Sequence, residues 1–499
     1  YTLLIMAEED DMQLEIEEDS GYETSPEKAE KEEFRNFIEE PGDDDGENRH
    51  PTEYNSMFYT SLIVVKGMIG AGILNLPLII KTFGLIGGSI LTCILAYIAI
   101  TVAYYIGRCK DITQRYSYMV YSKLMLGVTG TIIMKIALAI MLSTLCTVQL
   151  LVFGDILKGL SLLFIDINTK LLVLGIALVL LPFMFQKDIT RINKYAYLGI
   201  IGLGIYYFSH IILFIRKYNQ NKIIFDKNML YPNGTVKEII LCVGGYYSAF
   251  AFHMSYFSIY LPLRPRNNKT MMKSVTIGTI TASLIYLSYG VLFYLMYGSQ
   301  ISDSAMKYLQ NDLFEAHKNQ EYFIVIILVI CFLSFLFNAS ISSMIHFYLF
   351  KSHLIGLIRF IIKKKLENEK EAEDKKGIPM VEINENENKQ DNKEIRKFSD
   401  DVHSIKENEE LLSERKEFWI TFVCYCYALS MALGFNKIFI LDSFNGSTVV
   451  NYINIIAPCL FYLYFTRGDK KNYGEKALAG FDLIFGTSLI VSYFVLLFF

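Results

Sequence analysis

Long blocks of apolar residues, nearly free of charge and separated by short loops that gather the charge, constrain this chain more than any other feature; residues 85–107 and 447–466 contain no charged residue at all. An all-round apolar stretch of about 18 residues or more reads as a membrane span, because lipid offers the backbone no partners and every N–H and C=O must be bonded internally. About eleven such blocks are present, at 57–80, 85–107, 128–157, 169–186, 190–215, 238–262, 272–297, 321–350, 417–441, 447–466 and 477–499. Apolar residues make up 53% of the chain, above the level of about 45–50% usual for soluble domains. The expectation is an all-α polytopic membrane protein in the lipid bilayer. Tyr116–Leu126 is too short and polar to cross and is expected to lie along the surface.

The charge is unevenly placed. Residues 1–53 hold 20 Asp or Glu against 4 Lys or Arg, so the remainder is net positive, as suits basic loops facing an anionic leaflet. An acidic segment poor in apolar residues cannot offset its ordering entropy. Residues 1–55 are therefore read as a disordered cytosolic tail, solvated or docking a cytosolic partner. Residues 56–362 carry spans one to eight, 363–416 form a second disordered charged cytosolic loop rich in Lys, Glu and Asn, and 417–499 carry spans nine to eleven. No cleavable signal peptide is read at Tyr1–Met6, which is too short. Seven of the eight cysteines lie within apolar blocks, with no zinc-like spacing and no disulfide partners in the loops. Nothing suggests nucleic-acid binding.

Basic short loops place the amino terminus in the cytosol: Arg108/Lys110/Arg115/Lys123, Lys187/Arg191/Lys194, Arg264/Arg266/Lys269/Lys273 and Arg467/Lys470/Lys471 then fall inside. The outer loop Arg216–Lys237 holds several basic residues against this trend. Two glycosylation sequons, at Asn233 and Asn445, fall in expected outer loops. The carboxyl terminus is expected outside.

The first span carries Gly67, Gly70 and Gly72 in the run Lys66-Gly67-Met68-Ile69-Gly70-Ala71-Gly72. Each glycine weakens a helix by about 1 kcal/mol relative to Ala, and a break at membrane depth persists only where freed backbone meets protein, ligand or a wet cavity. Such a break offers N–H groups to a carboxylate and carbonyls to a cation. Close helix packing through small residues is the alternative. If the chain holds an inverted repeat, a second break belongs five spans later. There the sixth span reads Gly244-Gly245-Tyr246-Tyr247-Ser248-Ala249-Phe250-Ala251-Phe252-His253.

Gly67 to Pro77 with Gly84, Phe250-Ala251-Phe252-His253, Ile259-Tyr260, Leu263-Arg264 and Gly154-Asp155 together resemble the amino acid/auxin permease family, which includes the sodium-coupled neutral and the proton-coupled amino acid transporters. The resemblance covers residues 56–499 outside the 363–416 insertion. It implies a leucine-transporter-like fold of two inverted five-helix repeats with broken helices 1 and 6, plus an eleventh span. It also implies secondary transport of amino acids, driven by sodium or protons and with no other cofactor. Three departures stand out: Pro262 where an acidic residue is common, Met344, Leu349 and Lys351 where two prolines and an arginine are common, and Ser342 where the family's sodium sites use Thr.

The expected amino acid site lies between spans one and six, with Met68, Gly70, Ala71 and Gly72 on one side and Phe250, Phe252 and His253 on the other. The carboxylate is expected on the N–H groups of Gly70–Gly72, the amine on carbonyls near Phe250–Phe252. A sodium ion is expected among Gly67, Gly70 and Ser342, since a serine hydroxyl suits a hard cation. His253 either meets a proton or substrate, or is satisfied by a neighbouring helix. Lys66 costs about 2.5–3.5 kcal/mol at a helix centre on insertion scales and is read as snorkelling to the cytosol, with pairing to an acid as the alternative. His210 and His346 are read as packing residues, Asp155 as hydrated, and Asn338 as an interhelical bonding group.

Glu407 to Leu412 fits an acidic dileucine sorting pattern, so both the plasma membrane and endosomal, lysosomal or vacuolar membranes remain open. A nutrient-sensing receptor that signals through the tail is the alternative function. A channel does not account for paired broken helices. No Gly-x-Ser-x-Gly, His-Glu-x-x-His or aspartate pair suggests an enzyme.

Overall fold

A computed structural model describes residues 54–185, 196–301, 304–374, 414–435, 438–469 and 472–498. The acidic tail up to residue 53, the dileucine segment and the basic loop at Lys187–Lys194 lie outside these residues, whereas Tyr54 and Asn55, counted with the disordered tail in the sequence, are described and Asn55 bridges Leu263. Among the described residues the structure is helical, with a lone parallel bridge between Asn55 and Leu263.

Helix α1 (Met57–Met68) starts where the Ser56 hydroxyl accepts the Tyr59 N–H at 3.2 Å. A 3-10 segment (Ala71–Asn75) follows, then α2 (Leu76–Thr113), which has Pro77 in its first turn. Gly84 (φ 69°) turns α2 sharply. A Cβ there would meet the Tyr231 carbonyl oxygen at 2.4 Å, because the loop at 231–234 lies against this corner. The next helix, α3 (Tyr118–Ser161), bends at Gly127 (φ 63°), which separates the short Tyr118–Leu126 piece from the apolar run. Then come α4 (Thr169–Met184), α5 (Ala196–Asn219) and α6 (Val236–Ala249). A reciprocal capping box starts α6, with Thr235 Oγ1 accepting from Glu238 N and Glu238 Oε2 from Thr235 N. After a gap the chain resumes with a 3-10 turn at His253–Ser255 and α7 (Tyr256–Tyr260), followed by α8 (Asn268–Tyr297), α9 (Ala305–Lys318) and α10 (Tyr322–Asp374). The last part consists of α11 (Glu414–Gly434), α12 (Ile438–Ser447), α13 (Val449–Asn451), a π turn (Tyr452–Ile456), α14 (Ala457–Phe465) and α15 (Tyr473–Phe498).

Eight of the described helical stretches are long and apolar enough to cross a membrane, and Met57–Met68 and Thr169–Met184 are shorter apolar helices. Their outward faces show why. Ile86, Ile90, Ile94 and Tyr97 recur at helical spacing along α2 and are exposed, as are Phe323, Ile326, Ile330, Leu333 and Phe337 along α10. Exposed apolar stripes of this length suit lipid, not water. The chain is an integral membrane protein.

Two boundaries differ from the sequence expectation. The eighth span, expected over 321–350, continues as helix to Asp374, into the segment from 363 that was expected to be a disordered loop; Lys363–Asp374 is built largely of Lys, Glu, Ala and Leu, residues that favour helix. The outer loop expected at 442–446 is instead helix, because α12 begins at Ile438. Its run Asp442-Ser443-Phe444-Asn445-Gly446-Ser447 is polar, but the polar side chains point inward: Asp442, Ser443, Asn445 and Ser447 are all buried. They pack on α6 backbone to backbone. A Cβ on Gly446 would fall 1.9 Å from the Gly244 carbonyl oxygen, and one on Gly244 would fall 1.8 Å from Ser447 Oγ.

Candidate functional site

Helix α1 stops inside the protein. Ile69 N–H still bonds the Val65 carbonyl at 2.8 Å, but Ile69 (ψ 97°) and Gly70 (φ −127°, ψ −148°) leave helical geometry before the 3-10 segment begins. The N–H groups of Gly70, Ala71 and Gly72 therefore have no acceptor among the described residues. The carbonyls at the end of α1 are likewise released. Apart from its chain neighbours, no atom of the described residues lies within 4 Å of where a Cβ on Gly70 would sit, so the break borders open space.

The second break faces the first. Helix α6 ends at Ala249, Phe250 and Phe252 adopt non-helical dihedrals, and the chain turns again at His253. The carbonyls of Phe250 and Ala251 accept no hydrogen bond from the described residues. The Ala249 carbonyl is taken by the Tyr286 hydroxyl of α8 at 2.7 Å. Two close approaches fix the register between the breaks. A Cβ on Gly72 would meet Ala249 Cβ at 3.2 Å, and one on Gly67 would meet Phe252 Cβ at 3.5 Å. The two breaks are thus in contact through Gly67 and Gly72, with unbonded N–H groups on the first and unbonded carbonyls on the second among the described residues.

A network beside the breaks holds α1 to α10. Lys66 Nζ donates to Asn338 Oδ1 and, at 3.1 Å, to Ser342 Oγ. On the far side of the first break, Asn75 Nδ2 donates to Asp442 Oδ2 at 2.6 Å, with both residues buried.

Comparison with known proteins now bears on this arrangement. The family model described as "Transmembrane amino acid transporter protein" matches residues 53–499. The chain belongs to that family. Curated relatives of this transporter-family chain include "Sodium-coupled neutral amino acid transporter 7" of Danio rerio, 24% identical over 269 residues (50% of this chain, 56% of the relative). "Amino acid transporter AVT1J" of Arabidopsis thaliana is 25% identical over 279 residues (53% of this chain, 62% of the relative). The matched part spans a little over half the length of these relatives. Among solved structures, the nucleobase-cation-symport-1 family transporter Mhp1, in a closed conformation with bromovinylhydantoin bound, aligns with TM-score 0.52 at 13% identity, covering 90% of this chain and 92% of that one. The likeness is one of fold, and agrees with the leucine-transporter-like architecture expected for the family.

The residues singled out in the sequence separate into two groups. Gly70, Ala71 and Gly72 lie at the first break and Phe250 and Phe252 at the second, with Met68 buried just before the first. Phe250 is held edge-on against Tyr286, with ring centroids 5.4 Å apart. His253 points elsewhere: it is fully buried, and its Nε2 bonds the Ala99 carbonyl of α2 at 2.8 Å. One ring nitrogen is thus held by a neighbouring helix, while the buried Nδ1 has no hydrogen-bond partner among the described residues. Ser342 and Gly67 stand beside Lys66, whose amine is bonded by two neutral groups of α10. Lys66 thus neither snorkels nor pairs with an acid among the described residues. Asn233 is exposed, its Nδ2 donating to the Asn228 carbonyl at 3.0 Å. Asn445 is fully buried within α12, where no glycan can reach it. That sequon was placed in a loop only because polar α12 resembled one.

Sequence reading missed three contributors. Tyr286 occupies the α6 end, Asp442 bonds Asn75, and Gly199 of α5 sits against Lys66. Each acts across helices with no sequence proximity to the breaks. The one available hint was a carboxylate, Asp442, which is the sole charged residue between positions 438 and 466 and is set close to small polar residues.

Proposed function

We propose that the chain is a secondary transporter that moves amino acids by alternating access. The observation that carries this is the pair of adjacent breaks, with N–H groups at Gly70–Gly72 and carbonyls at Phe250 and Ala251 left unbonded among the described residues, beside open space at Gly70. An amino acid zwitterion needs this pair of surfaces. Its carboxylate bonds the amides, which stand at a positive helix end, and its ammonium bonds the carbonyls, while the side chain rests against Met68 and Phe252. Both partners leave water, so backbone dipoles fixed in place replace hydration without reorganising. The family membership and the amino acid transporters among the relatives support the substrate class.

The short basic loops support a cytosolic amino terminus and an extracytosolic carboxyl terminus, with Asn233 outside and open to glycosylation. The membrane is the plasma membrane or one of the endosomal, lysosomal or vacuolar system. The acidic tail is read as a solvated cytosolic segment, with docking of a cytosolic partner as the alternative, and the driving gradient is one of sodium or protons.

Uptake of a labelled amino acid mixture into proteoliposomes, with each gradient imposed separately, tests this reading. Wild type should accumulate substrate, and Gly70→Leu should not. Beyond its chain neighbours, a Cβ at 70 meets no described protein atom within 4 Å, so the position accepts a side chain's first atom, and an unchanged melting midpoint is the check that the leucine variant is folded. Absence of flux under both gradients, with amino acid binding intact, would replace transport by sensing.

A further inference from the structure

The meeting point of α1, α5 and α10 is built around a single ammonium group. Lys66 Nζ donates to Asn338 Oδ1 and Ser342 Oγ. Asn338 and Ser342 are four residues apart and therefore share one face of α10. Asn338 Oδ1 is a pure acceptor, so the lysine must be the donor in that bond. Helix α5 leaves room for the side chain at Gly199, where a Cβ would lie 3.1 Å from Lys66 Cε and 3.0 Å from Asn338 Oδ1. At Gly202, one turn on, a Cβ would come within 2.9 Å of the Ser334 carbonyl oxygen, so α5 lies closely against α10 here. Among the described residues no carboxylate pairs with Lys66. The acceptors are neutral oxygens from a side-chain amide and a hydroxyl, the ligand type a hard monovalent cation takes.

We propose that the Lys66 ammonium is the resident cation of this junction: a tethered charge that occupies the position between the first break and Ser342, so that sodium does not bind there. It fastens α1 to α10 as a bound ion would, through Asn338 and Ser342, and it is not lost to either compartment. A sodium ion among Gly67, Gly70 and Ser342 would have to share the Ser342 hydroxyl with an ammonium and bear its repulsion at close range. A gradient that drives the cycle must then enter at another place. This inference deepens the transport reading for its meaning in the cycle, but its test does not depend on transport.

The test is the melting midpoint of the purified full-length protein in detergent, in sodium chloride against choline chloride at fixed ionic strength. Wild type should melt at the same temperature in both. Lys66→Ala should melt lower in choline chloride and regain stability, saturably, with sodium or methylammonium, which fill the vacated position. Ser342→Ala, which keeps the lysine, should weaken the junction without creating any response to sodium. Saturable stabilisation of wild type by sodium, removed by Ser342→Ala, would overturn the proposal. So would a Lys66→Ala protein that folds but responds to no cation. If Lys66→Ala does not fold, the wild-type and Ser342→Ala measurements still decide. Uptake by wild type is scored separately: its failure with the ion result intact would sink the transport reading alone.

Discussion

Asn75 and Asp442 show how much a single pair can carry at membrane depth. The carboxamide donates to the carboxyl at 2.6 Å, and neither group reaches solvent. Removing one member leaves the other buried and unpaired, a loss of about 1–3 kcal/mol and more for a charged group. Asn75→Ala is therefore expected to lower the melting midpoint clearly, and Asn75→Ala with Asp442→Ala should recover part of that loss, since both orphaned groups are gone. A double-mutant cycle by thermal unfolding reads this; additive losses would show that the bond contributes nothing. Asn445 gives a second residue-scale expectation. Because it is fully buried in α12, Asn445→Gln should leave the glycosylated mass unchanged in cells that glycosylate the chain. Asn233→Gln is the variant that should remove a glycan, and gel mobility before and after glycosidase treatment separates the two.

At the scale of helices, legibility followed chemistry. Helices such as α2, α3 and α10 announce themselves, because lipid-facing stripes make a chain apolar over whole turns. The breaks were legible too, since glycine at 67, 70 and 72 weakens a helix wherever it occurs. Helix α12 was not, because its polar face is turned onto α6 and hydropathy does not distinguish an inward polar face from a loop. Lys66 was misread for a related reason: its partners Asn338 and Ser342 are neutral and distant in the chain. The glycines at α6 and α12 make opposite predictions from the glycine at the break. Gly446→Ala places a methyl 1.9 Å from a backbone oxygen, and overpacking of that kind costs about 1–3 kcal/mol or more. It should abolish a monodisperse peak on size-exclusion chromatography, whereas Gly70→Ala should elute as wild type.

Across the whole molecule, the entry to α1 is tied to the exit of α7. Asn55 N–H donates to the Pro262 carbonyl at 2.8 Å, Arg264 N–H donates to the Asn55 carbonyl at 3.0 Å, and the Arg264 guanidinium lies 4.2 Å from the Tyr54 ring centroid. If alternating access parts these two half-helices, a disulfide introduced by Asn55→Cys with Leu263→Cys should arrest uptake under oxidation, and reductant should restore it. Uptake unaffected by an established cross-link would mean that this end stays shut throughout. The seam between α6 and α12 has the opposite character. Where Gly244 and Gly446 meet main chain to main chain, the contact holds no long side chain that could flex or re-seat, so a shift of one helix along the other brings backbone against backbone. Such a seam behaves as a weld. If α6 swings in the cycle, α12 is expected to swing with it, and the non-helical stretch Phe250–Phe252 is where the chain can bend.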